Sequence, residues 1–214
     1  MNEERNSSSA RLNALLIQAG YDPLDPGLAD RFEAYLSLIL RWNARINLTA
    51  IRDEEGILSR HFVESIASAR ALPAGIATLL DFGSGAGLPG IPIALCRPEI
   101  AVTLAESNGK KAAFLQEAVR TLDITAKVHA QRAELLAAHF DCVTLRAVDR
   151  MELAVRTASQ LVRPGGWIVL MTTRAEVARL QIAAGDFFSW PQVVSLPGGE
   201  NRLLALGERQ RVSF

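Results

Sequence analysis

The stretch from Leu79 to Gly90 constrains this chain most, because an apolar run ends in an acid and then breaks into closely spaced glycines. Gly83, Gly85 and Gly87 follow Asp81 at alternate positions. Glycine lacks a side chain, so the backbone can turn sharply and a ligand can approach it closely. A helix that starts after such a turn presents unpaired N–H groups. The pattern predicts a strand, a tight loop and a helix that together bind a nucleotide-type cofactor.

Length and composition place the chain among ordinary globular proteins without indicating a partner. It has 214 residues, of which 49% are hydrophobic and 21% are charged, a mixture typical of one sizeable packed core. The formal net charge is zero, so composition does not favour nucleic acid, membranes or acidic partners. An RNA substrate would need a local cluster of lysine and arginine, because phosphate binding depends on clustered positive charge.

The first third of the chain shows helical patterns only, after a polar tail over residues 1–9. Cap residues, proline in a first turn and apolar residues at helical spacing predict three helices, which cover Ala10–Ala19, Asp25 to about Asn47, and Asp53–Leu72. Pro73 closes the third helix. We expect residues 1–75 to form an N-terminal helical extension packed on the core.

From Thr78 onward, short apolar strands alternate with helices, which is typical of a parallel sheet covered on both faces. Helices are predicted over Leu88–Cys96, Gly109–Leu122, Arg132–His139, Met151–Leu161 and Ala175–Ala184. Strands are predicted over Leu79–Phe82, Val102–Glu106, Lys127–Ala130, Asp141–Leu145, Trp167–Met171, Gln192–Leu196 and Arg202–Gly207. The last two read as a hairpin. A mostly parallel, seven-stranded α/β sheet that ends in an antiparallel hairpin resembles the Rossmann-like class I fold of methyltransferases that depend on S-adenosylmethionine (AdoMet), here over residues 76–214.

Two cofactors compete for the glycine loop. A dinucleotide fingerprint matches Gly85, Gly87 and Gly90, but it starts late, and Pro89 lies where pyrophosphate would need an N–H group. An acid before the glycines suits a cationic sulfonium ligand and would repel pyrophosphate. Glu106 ends the next strand, where a carboxylate accepts both ribose hydroxyls of an adenosine, in NAD and AdoMet alike. The pattern favours AdoMet and leaves a nicotinamide-dependent reductase as an alternative.

The segment after the fourth strand bears on the accepting atom. It reads Leu145-Arg146-Ala147-Val148, without the Asn/Asp-Pro-Pro-aromatic loop that goes with amino-group methylation, and no cysteine follows a proline anywhere. Those devices serve amino groups and pyrimidine carbons. A guanine ring N7 has a free lone pair and no proton to lose, so alignment of donor and acceptor in a closed site could suffice.

Several motifs then occur in order along the chain. They are Trp42-Asn43, Asn47-Leu48-Thr49, Arg60-His61, Glu64-Ser65, Gly87-Leu88-Pro89-Gly90-Ile91-Pro92, Arg97-Pro98-Glu99, Lys110-Lys111, Phe114-Leu115 and Arg146-Ala147. Together they closely resemble the 16S ribosomal RNA guanine-N7 methyltransferases, known as RsmG and formerly as GidB. The resemblance implies AdoMet as cofactor, 16S rRNA or the small ribosomal subunit as partner, and direct methyl displacement to N7 of a guanine in the decoding-region loop.

The resemblance carries the family's cofactor positions onto Gly83, Leu88, Ala133, Glu134 and Arg146. Arg146 is the catalytic candidate, because its fixed donors could hold the methionine carboxylate or an RNA phosphate. We expect its replacement by alanine to abolish methylation with little loss of stability. The full predicted cofactor set is Asp81, Gly83, Ser84, Gly85, Gly87, Leu88, Glu106, Ser107, Ala133, Glu134 and Arg146, with no metal.

Four features are open or depart from the family's pattern. Glu64 and Glu106 stand where aspartate is more usual, and Thr172-Thr173-Arg174 replaces a Lys-Gly pair after the fifth strand. His61 is predicted to have a structural or RNA-positioning role, since N7 alkylation has no proton for it to remove. Lys110 and Lys111 could form a solvated face or contact RNA.

The setting expected from sequence is cytoplasmic, monomeric and away from membranes. No apolar stretch resembles a signal peptide or reaches bilayer length, and Cys96 and Cys142 lack metal-ligand spacing. Two further alternatives remain: a methyltransferase for small molecules, and a non-enzymatic ribosome-assembly factor that binds AdoMet.

Overall fold

A computed structural model describes residues 7–199 and 201–211. Residues 1–6 of the predicted tail and Glu200 of the predicted hairpin turn lie outside this range. The described chain forms one seven-stranded sheet with the strand order β3-β2-β1-β4-β5-β7-β6. The strands are β1 Thr78–Phe82, β2 Ala101–Ala105, β3 Ala126–His129, β4 Phe140–Arg146, β5 Val162–Thr173, β6 Phe188–Ser195 and β7 Arg202–Arg209.

The pairing pattern confirms the predicted fold class. Strands β1 to β5 pair in parallel, whereas β7 runs antiparallel to both β5 and β6. The register of the final hairpin shifts between Ser189 and Gln192, where Pro191 has no N–H group for the ladder. Strand β6 is the edge of the sheet, and proline is tolerated there.

Helices flank the sheet. They are α1 Ser8–Gln18, α2 Pro26–Asn43, α3 Glu54–Gly56, α4 Val63–Ala71, α5 Gly90–Cys96, α6 Gly109–Thr121, α7 Met151–Leu161 and α8 Val177–Ala184. A π-helical segment, Ile57–Phe62, joins α3 to α4. Ser7 and Asp25 cap α1 and α2 through their side chains, as the sequence predicts for such positions. Among the described residues, no helix is both long enough and apolar enough to cross a bilayer.

Two apolar clusters cover the two faces of the sheet. Leu79 belongs to one and Leu80 to the other, since successive strand residues point to opposite faces. The first cluster includes α1, α2, α4, α5 and α6, and the second includes α7 and α8. The N-terminal helices therefore bury their apolar faces in a cluster shared with the sheet. A domain division at residue 75 stays a prediction.

Two predicted helices are shorter in the structure. Only the 3₁₀ turn Ala133–Leu135 forms within the predicted helix Arg132–His139. Of that turn only Ala133 is buried, and so short a segment gains too little from packing to offset helix nucleation. Helix α2 ends at Asn43 instead of near Asn47. The Asn43 side chain explains this, because its Oδ1 accepts hydrogen bonds from Leu48 N and Thr49 N and so orders a loop.

Candidate active site

A cleft of about 920 Å³ opens at the carboxyl ends of β1, β2 and β4. The strand order reverses between β1 and β4, and ligands of open α/β sheets bind at such a point. The cleft volume lies within the range typical of cofactor pockets. Of the predicted cofactor residues, nine line it: Gly83, Ser84, Gly85, Leu88, Glu106, Ser107, Ala133, Glu134 and Arg146. Asp81 and Gly87 do not.

The glycines of the loop meet different requirements. Gly83 and Gly87 have φ values of +71° and +82°, and a Cβ atom on them would lie 3.1 Å from Val148 Cγ2 and 2.9 Å from Tyr35 Oη, respectively. Close packing and the left-handed backbone therefore both favour glycine at these two positions. Gly85 has a φ of +55°, and a Cβ atom added to it would have one neighbour within 4 Å, the carbonyl oxygen of Gly83 at 3.8 Å. The space beside Gly85 is therefore open. A ligand can approach the backbone most closely at Gly85.

Asp81 is buried beneath the loop. Its carboxylate accepts hydrogen bonds from Gly90 N at 3.2 Å and from Thr144 Oγ1 at 2.9 Å. Burial raises the pKa of Asp81 to about 6, against the lowering effect of these hydrogen bonds. The side chain ties the end of β1 to the start of α5 and to β4. This position supports the loop from below, and direct binding of a cofactor by Asp81 stays a prediction, as it does for Gly87.

Glu106 joins the loop to β2. Its Oε2 accepts a hydrogen bond from Gly85 N at 2.9 Å, and its Oε1 accepts one from Asn108 N at 2.7 Å. Each carboxylate oxygen has two lone pairs, so each keeps one for a ligand. Glu106 also lines the cleft. It is therefore placed to accept two hydroxyl donors at once while the backbone fixes its orientation.

Tyr35 connects the N-terminal helices to the glycine loop, a role that no local sequence pattern predicts. Its hydroxyl donates a 2.5 Å hydrogen bond to Ala86 O, and its ring stacks on Phe62 with centroids 5.1 Å apart. Burial and the nearby Asp81 carboxylate raise the pKa of Tyr35 well above its usual value. Helical spacing identifies Tyr35 as a core residue but gives no sign of a partner 51 positions away.

Arg146 lies in a buried polar cluster at the edge of the cleft. Its Nη1 donates to Ser65 Oγ at 3.2 Å, and its Nη2 lies 2.8 Å from Arg60 O, 3.1 Å from His61 Nδ1 and 2.9 Å from Glu64 Oε2. Burial lowers the pKa of Arg146 to about 10, which leaves it charged at neutral pH. The structure thus brings together the Arg60-His61, Glu64-Ser65 and Arg146-Ala147 motifs.

Arg202 completes this cluster from the start of β7. It pairs with the same Glu64 oxygen at 2.8 Å, whereas Arg146 pairs with it at 2.9 Å. Two guanidinium groups thus share one carboxylate, so Arg146, Arg202 and Glu64 together carry one excess positive charge. Arg202 could not be predicted as a site residue, because nothing local to β7 indicates a partner 138 positions earlier. Arg146 and Arg202 both line the cleft.

His61 is held neutral in this cluster. Burial, followed by the positive charges of Arg146, Arg60 and Arg202, lowers its pKa to about 3. Its Nε2 lies 2.7 Å from Thr49 Oγ1. His61 therefore contributes hydrogen bonds and no charge at neutral pH.

The loop after β4 covers the cleft next to Gly83. Ala147 and Arg150 have φ values of +48° and +52°, a conformation that is uncommon for residues with a side chain. Val148 lies between them and packs against the position of Gly83. All three line the cleft. No glycine marks this turn, so the arrangement could not be predicted from the sequence.

A second groove of about 410 Å³ adjoins the cleft. Its cationic lining residues are Arg45, Arg52, Lys110 and Lys111, and none of its described lining residues is acidic. Asn108 and Lys111 line both cavities. The structure thus places Lys110 and Lys111 in a continuous basic surface beside the cleft. Within residues 7–199 and 201–211, no group of three or more His, Cys, Asp or Glu side chains could hold a metal ion.

Comparison with known proteins gives consistent sequence matches. A family model described as "GidB: rRNA small subunit methyltransferase G" matches residues 29–189. The chain is 43% identical over 191 residues to ribosomal RNA small subunit methyltransferase G of Stenotrophomonas maltophilia (strain R551-3), covering 86% of this chain and 88% of the relative. It is 44% identical over 151 residues to the protein of the same name from Xanthomonas euvesicatoria pv. vesicatoria (strain 85-10), covering 69% and 70%.

Solved structures share the fold at low sequence identity. A predicted O-methyltransferase from Agrobacterium tumefaciens is similar with a TM-score of 0.59 and 22% identity, over 70% of this chain and 81% of that one. A SAM-dependent methyltransferase from Aquifex aeolicus is similar with a TM-score of 0.57 and 14% identity, over 72% and 93%. These likenesses show the fold alone.

Proposed function

The chain belongs to the family described as GidB, rRNA small subunit methyltransferase G, and from that premise we propose that it methylates N7 of a guanine in the decoding-region loop of 16S rRNA, using AdoMet. One observation carries this proposal. The cleft that contains the glycine loop and Glu106 is continuous, through Asn108 and Lys111, with a groove lined by cationic side chains. The proposed cofactor site thus adjoins a surface suited to phosphates.

The residues of the cleft fit AdoMet. Glu106 keeps two lone pairs for the ribose hydroxyls, and Gly85 leaves open space beside its backbone. Ala133 and Glu134, which also line the cleft, offer backbone groups for the adenine edge. The net positive charge of Arg146, Arg202 and Glu64 suits the methionine carboxylate.

The proposed mechanism relies on orientation. When bound, AdoMet supplies a methyl carbon whose bond to the sulfonium sulfur breaks as the N7 lone pair forms the new bond, so no base has to remove a proton. The lowered pKa of His61, about 3, makes its imidazole a weak base, which agrees with a reaction that needs no general base. The protein's contribution is to hold donor and acceptor in line and to exclude water. Arg146 contributes by positioning, because its Nη2 contacts both His61 and Glu64.

The basic groove supports RNA as the substrate. Four cationic side chains there could contact successive phosphates on either side of a guanine inserted in the cleft. Such a local patch resolves the difficulty posed by the zero net charge of the chain. We further propose that the protein acts as a monomer in the cytoplasm, where small subunits are assembled. Light scattering of the purified chain tests the first of these proposals.

Calorimetry on Gly85→Asp tests the cofactor site. The new carboxylate would enter the open space beside Glu106, so AdoMet binding should be lost while the chain remains folded. Gly75→Asp is the matched control, because Gly75 also has a left-handed φ (+81°) with nothing within 4 Å of a Cβ and does not line the cleft. Unchanged affinity in Gly85→Asp would rule out this loop as the site, and binding of NADH in place of AdoMet would favour a reductase.

Transfer of label from AdoMet tests the activity. The protein is incubated with labelled AdoMet and, separately, unmodified 16S rRNA, small subunits that lack the modification, and a set of low-mass acceptors. We expect label in the rRNA of at least one of the first two. Label only in low-mass acceptors would favour a small-molecule methyltransferase. AdoMet and RNA binding without any transfer would favour a non-enzymatic assembly factor.

A further inference from the structure

Thr49 lies in a loop that reaches the cleft from the N-terminal helices. The loop is held by Asn43, whose Oδ1 accepts hydrogen bonds from Leu48 N at 2.9 Å and Thr49 N at 3.1 Å, and whose Nδ2 donates to Ile51 O at 3.2 Å. Thr49 and His61 both line the cleft, as do Gly83 and Arg146. The hydroxyl of Thr49 is therefore fixed in position at the wall of the cleft in which the reaction is proposed to take place.

Arg146 determines the direction of the hydrogen bonds that lead to Thr49. A guanidinium group can only donate, so in its contact with Arg146 Nη2, at 3.1 Å, His61 Nδ1 is the acceptor and carries no proton. Because Nη2 has two hydrogens and also contacts Arg60 O and Glu64 Oε2, one of these hydrogens is shared between two acceptors. The ring is neutral, since burial and the surrounding arginines lower the pKa of His61 to about 3. Its single proton is then on Nε2, which donates to Thr49 Oγ1 at 2.7 Å.

The Thr49 oxygen has no acceptor capacity left. It accepts one hydrogen bond from His61 Nε2 and another from Ile51 N at 3.2 Å. A hydroxyl has two lone pairs and one hydrogen, so only the hydrogen remains to be used. Among the described residues, no group accepts that hydrogen. Thr49 therefore presents a hydrogen-bond donor of fixed polarity to a ligand in the cleft.

We propose that Thr49 donates this hydrogen to O6 of the target guanine and so selects guanine over adenine. The inference rests on the proposed function, in which N7 faces the methyl donor. Guanine carries its O6 acceptor on the same edge as N7, whereas adenine carries an N6 amino group there. With adenine, two donors would face each other and the Thr49 hydrogen would have no partner. His61 and Arg146 act through Thr49 as positioning residues.

The test is a cycle that pairs a change in Thr49 with a change in the base. Thr49→Val keeps the shape and removes the donor, and Thr49→Ser keeps the donor. Each protein is assayed on one RNA with guanine at the target position and on another with 2-aminopurine, which has N7 but lacks O6. Binding of the second RNA is also measured from the fluorescence of 2-aminopurine, so the variants can be compared on this RNA even where turnover is slow.

We expect Thr49→Val to lower kcat/KM and affinity on guanine RNA about tenfold, the net effect of one hydrogen bond, and Thr49→Ser to change them less than threefold. On 2-aminopurine RNA, Thr49→Val and the wild-type protein should have equal kcat/KM and equal affinity. Equal losses on both RNAs would overturn the inference, because they would indicate a structural role, and so would an unchanged value on guanine. If the wild-type protein methylates neither RNA, the proposed function itself fails.

Discussion

Replacement of Arg146 by alanine should destabilise the fold, contrary to the expectation from sequence that only methylation would be lost. The side chains of Arg146 and Glu64 are 7% and 1% exposed, and their ion pair measures 2.9 Å. Removing one partner of a buried ion pair costs about 3–5 kcal/mol, because the other charge is left uncompensated. Arg202, at 2.8 Å, still pairs with Glu64. We therefore expect the lower end of that range, about 3 kcal/mol.

Urea denaturation, followed by circular dichroism, measures this loss. For a chain of this length, about 3 kcal/mol lowers the melting temperature by roughly 6–12 °C and the urea midpoint by about 1 M. Arg179→Ala is the control, because Arg179 is 61% exposed and its ion pairs with Glu152 and Glu176 lie at the surface. The control should change stability by less than about 1 kcal/mol.

A double variant separates the charge from the packing. If the loss arises because Arg202 alone compensates the buried Glu64 carboxylate only in part, Glu64→Gln combined with Arg146→Ala should be less destabilised than Arg146→Ala alone. The reasoning is refuted if Arg146→Ala shifts the urea midpoint no more than Arg179→Ala does. In that case the ion pair between Arg146 and Glu64 would stabilise the fold no more than an exposed ion pair does, and Arg146 would contribute only to ligand binding.

Four further predictions concern the loop, the cofactor and the groove. Gly87→Ala should cost about 1–3 kcal/mol more than Gly20→Ala in urea titrations, since both have φ near +81° but only Gly87 has Tyr35 and Ile91 in the way of a Cβ. Glu106→Gln should weaken AdoMet binding in calorimetry by tenfold or more, as hydrogen bonds to a charged acceptor are lost, while Glu152→Gln should not. Because the pKa of Asp81 is raised from 3.8 to about 6, ionisation of this carboxyl should lower the free energy of unfolding of the protein by about 3 kcal/mol as pH rises from about 4 to 6. Asp81→Asn should lack this dependence of stability on pH. Replacing Lys110 and Lys111 by alanine should reduce the salt dependence of RNA binding by about 1.4 in log–log slope, and an unchanged slope would mean that neither contacts phosphate.

The fold was largely predictable because its signals are local. The order of strands and helices after Thr78 follows from apolar runs, caps and turn residues, and helix α2 begins at Pro26 behind the Asp25 cap as the sequence indicates. The predicted helix Arg132–His139 was wrong because composition alone does not tell whether a segment gains packing, and only one turn of it forms.

The site was predictable only where its residues are close in sequence. The glycine loop and Glu106 stand at strand ends, so pattern alone brings them together, and both line the cleft. Glu64 and Arg202 meet across 138 positions, and Tyr35 reaches Ala86 across 51. Such contacts depend on how the N-terminal helices pack against the sheet, which no local pattern records. For the same reason the burial of Arg146 and its ion pair with Glu64 could not be predicted from the sequence.

The most direct test of the central claim is to identify the methylated atom. The protein and AdoMet are incubated with 16S rRNA or small subunits that lack the modification, and the product is digested for mass spectrometry and cleaved chemically at N7-methylguanosine to locate it. The account predicts one N7-methylguanosine, in the decoding-region loop, which disappears with Gly85→Asp and persists with Gly75→Asp. A methyl group on another atom, or in another part of the RNA, would contradict it.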